Sequence, residues 1–171
     1  MNRTRLTTAL IALTAAAGLG SQAAIAGTTT ATFPVTATVN ANCTVSAAGL
    51  SFGTYDPLVA NASSPLNATN ALTLACVKGV SPTVGLDTGT HGPNASGTTR
   101  AMAGGASYLS YELYKDAART QVWGNSGTGL LTIAAVNNTN PFNVTVYGAV
   151  PGAQGVPTGS YTDTVTATVN F

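Results

Sequence analysis

Ten residues near the start of the chain, Thr30-Ala-Thr-Phe-Pro-Val-Thr-Ala-Thr-Val39, alternate without a break. Ala31, Phe33, Val35, Ala37 and Val39 take one parity; Thr30, Thr32, Pro34, Thr36 and Thr38 take the other. Successive side chains of a strand project to opposite faces, so the segment predicts a β-strand with one apolar and one polar row. Fully extended it spans about 33 Å. The same period returns at the far end, where Val165, Ala167, Val169 and Phe171 oppose Thr162, Thr164, Thr166, Thr168 and Asn170 in a strand expected over 161–171. Between the two, strands are expected over 71–77, 82–86, 108–115, 121–124, 129–136 and 141–150, with two short ones inside 44–55 broken at Ala47-Ala48-Gly49. Residues 61–70 read as a loop around Pro65, and 87–105 as a long glycine-rich connection. No helical period of useful length appears after residue 26. Recurrent short strands with turn signals between them predict an all-β sandwich.

The first residues change the setting. Arg3 and Arg5 precede an apolar stretch from Leu6 to Gly20, and Ala24-Ile25-Ala26 is a small-x-small cleavage signal. Residues 1–26 are therefore expected to be a signal peptide, leaving 145 of the 171 residues as one exported domain. The apolar stretch is short for a membrane span, and no later segment is long and apolar enough for insertion. Beyond the leader, Lys78, Arg100, Lys115 and Arg119 stand against Asp56, Asp87, Glu112, Asp116 and Asp163, four cations against five acids. That balance of −1, with no charge run, excludes nucleic acid and anionic membrane as partners. Charged residues make up only 6% of the chain, so the surface must be built from Thr, Ser, Asn and Gly. Such a surface gives weak protection against edge-to-edge strand association.

Cys43 and Cys76 are the only cysteines, and in an exported chain they are expected to pair. No metal, cofactor or catalytic site is expected. The five carboxylates are scattered, His91 has no nucleophile at motif spacing, and Gly104-Gly105 lacks a phosphate-cradle context. Trp123 and Tyr114 leave open a glycan-stacking face.

Several pieces, in order, carry a resemblance: Cys43-Thr-Val45, Phe52-Gly-Thr-Tyr55, Tyr111-Glu-Leu-Tyr-Lys-Asp-Ala-Ala-Arg-Thr120 with Val122-Trp-Gly124, Val144-Thr-Val-Tyr-Gly148, Gly159-Ser-Tyr-Thr-Asp-Thr-Val165 and Val169-Asn-Phe171. Together they resemble the spore coat protein U family, which includes the pilins of archaic chaperone–usher pili. The resemblance implies an immunoglobulin-like β-sandwich lacking its final strand over 41–171 and a donor-strand extension over 27–40. It implies that Ala31, Phe33, Val35, Ala37 and Val39 fill the groove of a neighbouring copy or related pilin. It makes Val165, Ala167, Val169 and Phe171 the groove edge that a periplasmic chaperone engages, with the Phe171 carboxylate as anchor. An outer-membrane usher, donor-strand exchange, export through the periplasm to a surface pilus, and attachment or biofilm formation follow as expectations. The alternatives are a spore- or cell-coat protein of the same fold and a secreted carbohydrate-binding sandwich.

Overall fold

The computed structural model describes residues 25–171, so the signal peptide expected over 1–26 lies almost wholly outside the described residues. The chain divides into two units, one ending at Ala37 and one running from Thr38 to Phe171. In the first, residues 25–37 carry exposed side chains and no assigned strand.

The second unit is all-β. Its strands are β1 (Cys43–Ala47), β2 (Leu66–Cys76), β3 (Thr83–Leu86), β4 (Arg100–Gly104), β5 (Ser107–Tyr114), β6 (Leu131–Thr132), β7 (Phe142–Val150) and β8 (Ala167–Asn170). Two sheets form, ordered β1-β2-β7-β5-β4 and β6-β3-β8, and every strand pairing within them is antiparallel. Leu72, Leu74, Val84, Leu86, Leu109, Tyr111, Leu113, Trp123, Val146 and Val150 form the buried core between the sheets. This is a sandwich of the immunoglobulin-like kind, as the strand pattern and the resemblance predict.

Cys43 and Cys76 stand opposite each other in the β1–β2 register and are disulfide-bonded. Gly148 on β7 is bare because a side chain there would meet Phe52, whose Cζ lies 2.8 Å from an ideal Cβ. Phe52 in turn meets Tyr111 edge-on, ring centroids 5.9 Å apart. The segment after β1 is thereby laid across the inner face of the larger sheet.

Several local expectations shift. The second short strand expected inside 44–55 does not form, 121–124 holds only an isolated bridge from Val122 to Tyr114, and 129–136 shortens to β6. Residues 66–70, read as loop, are the first half of β2, because the ladder from Leu66↔Val150 to Asn70↔Val146 extends β2 along the whole of β7. β4 emerges from the expected 87–105 connection, its glycines serving as ends rather than breaks. The last strand is shorter than its alternation, with 161–166 extended but outside β8.

Candidate functional site

Even-numbered residues of the last segment turn their backbone groups toward the sandwich. Thr162 exchanges hydrogen bonds with Ala103 (2.9 and 3.0 Å), Thr164 accepts from the Thr90 N–H (3.2 Å), and Thr166 accepts from the Asp87 N–H (3.1 Å). Backbone groups alternate sides along a strand as side chains alternate faces. The N–H and C=O groups of Val165, Ala167 and Val169 therefore point the other way, off the edge of the β6-β3-β8 sheet, where no further strand of the described residues pairs. Side chains follow the same parity. Val165, Ala167 and Val169 are half-buried, while Thr164, Thr166, Thr168 and Asn170 are exposed. Phe171 is 57% exposed. An edge with unpaired backbone and inward apolar side chains is a template for one more strand.

A groove runs beside that edge. Its narrower part, about 360 Å³, lies between residues 47–52 and 163–167 over Leu72, Leu86, Leu113 and Val146. Its wider part, about 1270 Å³, lies between 50–58 and 153–162 over Leu66, Leu109 and Val150. Leu50, Phe52 and Met102 line both parts, so the two adjoin along one trough. The floor is apolar because β2, β5 and β7 each send their inward side chains there.

A buried carboxylate stands in the trough wall. Asp163, its side chain only 2% exposed, accepts hydrogen bonds from the Thr90 N–H (3.0 Å), Thr90 Oγ1 (2.6 Å) and Tyr111 Oη (2.7 Å), and lies 3.1 Å from His91 Nδ1. Burial pushes this carboxyl up, but hydrogen bonds led by Thr90 and Tyr111 outweigh it and hold it below the usual carboxylate range. Burial and the bond to Asp163 drive the Tyr111 phenol strongly upward. These groups pin the start of the edge segment to the 88–92 loop and to β5. The Thr90 hydroxyl beside His91 is itself tied to Asp163.

The remaining carboxylates have structural partners. Asp56 and Asp116 accept backbone N–H groups in their own turns. Glu112, 3% exposed, pairs with Arg100, 1% exposed, whose guanidinium also donates to the carbonyls of Leu86, Asp87 and Trp123. Sequence reading missed this pair: nothing in Arg100 or Glu112 separately signals burial. The glycan-stacking reading is corrected at Trp123, which is fully buried with Nε1 donating to the Val84 carbonyl at 2.9 Å. A ring used as core is closed to a sugar.

Ala31, Phe33, Val35, Ala37 and Val39 are all exposed, Phe33 by 78%, Val35 by 84% and Val39 by 81%. Such exposure of an alternating apolar row is costly unless something covers it.

Comparison with known proteins adds three findings. The family model described as Spore Coat Protein U domain matches residues 29–168. Protein U of Myxococcus xanthus is 42% identical over 177 residues, covering 96% of this chain and 97% of that protein. Among solved structures, a chain of the CsuC–CsuE chaperone–tip adhesion subunit pre-assembly complex, from archaic chaperone–usher Csu pili of Acinetobacter baumannii, superimposes with a TM-score of 0.56 at 24% identity. That match covers 78% of this chain but spans only 40% of the Csu chain, and it speaks to fold.

Proposed function

The chain belongs to the Spore Coat Protein U family, and from that membership we propose that it is a structural subunit of a chaperone–usher surface pilus, polymerising by donor-strand exchange. Residues 27–40 are the donor extension, and 41–171 form the acceptor sandwich. A periplasmic chaperone covers the groove along Val165, Ala167, Val169 and Phe171 until, at an outer-membrane usher, the extension of the next copy replaces it. The resulting surface fibre supports attachment or biofilm formation.

One observation carries the reading: an unpaired edge beside an apolar trough, in a chain whose leading segment displays an uncovered apolar row of the matching period. Burial of Phe33, Val35 and Val39, with smaller terms for the alanines, contributes about 5–10 kcal/mol. Each ladder hydrogen bond adds about 0.5–1.5 kcal/mol. Against these stands the entropy of ordering the extension.

The test places charges on the two parities of the extension in the full chain. Phe33→Asp with Val35→Asp is expected to abolish multimers that resist detergent and fall to monomer on boiling. Thr32→Asp with Thr36→Asp is expected to leave them. Wild-type multimers from the Phe33→Asp/Val35→Asp chain would overturn the reading. The full-length identity with Protein U favours a second reading, a coat protein of the same fold assembled without an usher. Deleting the usher separates the two, since a coat protein still reaches the surface.

A further inference from the structure

Among the described residues, the large apolar side chains more than three-quarters exposed fall into two groups. Ile25, Phe33, Val35 and Val39 belong to the leading segment; Leu58 and Val59, 86% and 80% exposed, do not. Those two sit on a turn that is held rigid. Asp56 Oδ1 accepts the N–H groups of Leu58 (2.9 Å) and Val59 (3.1 Å), and the buried Asn61 bonds Asp56 in both directions. The Ala153 N–H closes onto the Asn61 carbonyl at 2.8 Å. Leu58 borders the wide end of the trough, opposite residues 153–162.

Which part of an incoming extension reaches that end depends on its direction, and Pro34 decides it. The groups of Val165, Ala167 and Val169 face the vacancy, and their side chains face the core. In an antiparallel pair, directly opposite residues share a face, and those whose backbone groups point at each other exchange both bonds. The donor residues bonding this edge are then the apolar ones, Phe33 and Val35 among them, and Pro34 points its missing N–H away. In a parallel pair the bonding residues are the neighbours of the apolar ones, and Pro34 forfeits a bond. Antiparallel entry keeps the ladder whole. It directs Val39 toward the end of the edge where Tyr161 and Thr162 lie, the Leu58 end.

Only Asn40, Ala41 and Asn42 separate Val39 from Cys43, a reach of at most about 14 Å. The next copy must therefore set its Cys43–Cys76 end against the mouth of the trough. We infer that Leu58 and Val59 are the subunit-to-subunit contact at each joint, packing on the next copy's Val77–Val80 turn beside its disulfide. The contact rests on the donor-strand reading and adds a second, body-to-body interface to it.

The described residues hold no free cysteine, so introduced ones report cleanly. In the full chain carrying Ala60→Cys and Lys78→Cys, both exposed positions, a short bismaleimide is expected to produce multimers that survive boiling. Adding Leu58→Asn and Val59→Asn is expected to cut that yield several-fold while the boiling-sensitive multimers persist. Boiling-sensitive multimers without any cross-link, or a cross-link indifferent to Leu58→Asn/Val59→Asn, would overturn the contact and leave donor-strand exchange standing. Absence of boiling-sensitive multimers from the unaltered chain would overturn both.

Discussion

Asp163 and Arg100 show how a chain with few charges spends them. Arg100 ties β4 to Glu112 on β5 and, through the carbonyls of Leu86, Asp87 and Trp123, to the other sheet. Removing one partner strands the other in a dry core, so Arg100→Met is expected to cost about 3–5 kcal/mol in urea denaturation of the purified chain. Asp163 is a different kind of fastener, because its folded carboxyl is held below its ordinary value. A depressed acid contributes stability that is fully present above its unfolded pKa and lost as pH falls through its folded one. That window lies below about pH 4. Denaturation midpoints are expected to drop there in the unaltered chain and to drop less steeply in Asp163→Asn, which starts lower at neutral pH. Equal slopes would remove Asp163 from the account. The residue was legible as a carboxylate inside the last strand, but not its partners, since Thr90, His91 and Tyr111 come from elements distant in sequence.

At the scale of the element, periodicity was the dependable signal where one face is wet and one dry. The parity expected for Val165, Ala167 and Val169 is the parity of half-burial in the structure. It was overlooked at Leu66–Asn70, where Pro65 suggested a loop although Leu66 and Ala68 alternate in half-burial with the exposed Asn67 and Thr69 along β7. β4 hid for another reason, its glycine-rich flanks masking five residues anchored by a buried arginine. The extension offers a sharp check of strand direction. If Pro34 faces away from the edge, Pro34→Ala is expected to leave the joint's thermal resistance nearly unchanged. Val35→Pro removes an edge bond and an apolar side chain together, and is expected to weaken the joint by about 2–4 kcal/mol. Melting of detergent-treated multimers reads both. A large effect from Pro34→Ala would argue for the opposite direction.

For the molecule as a whole, the two cysteines foretold the one disulfide, which closes residues 33 apart in sequence. In the loop-entropy account such a link is worth about 3–4 kcal/mol, so Cys43→Ser with Cys76→Ser is expected to lower the denaturation midpoint accordingly, compared with reduced unaltered chain as control. The layered all-β plan was legible in the pattern of strands and turns. The open edge at Val165, Ala167, Val169 and Phe171 was expected from the family resemblance and not from the pattern, because the pattern does not reveal the long-range pairing of β8 with β3.

In the donor-strand reading proposed above, one open groove and one donor tongue per chain fix a tally that growth cannot alter. However many copies join head to tail, a single unfilled berth remains at one extremity and a single idle tongue at the other. Ends are thus the same in number for a dimer and for a filament of thousands, so longer assemblies are proportionally poorer in places to begin coming apart. Shearing a population to shorter lengths, with no change of residue, multiplies those places.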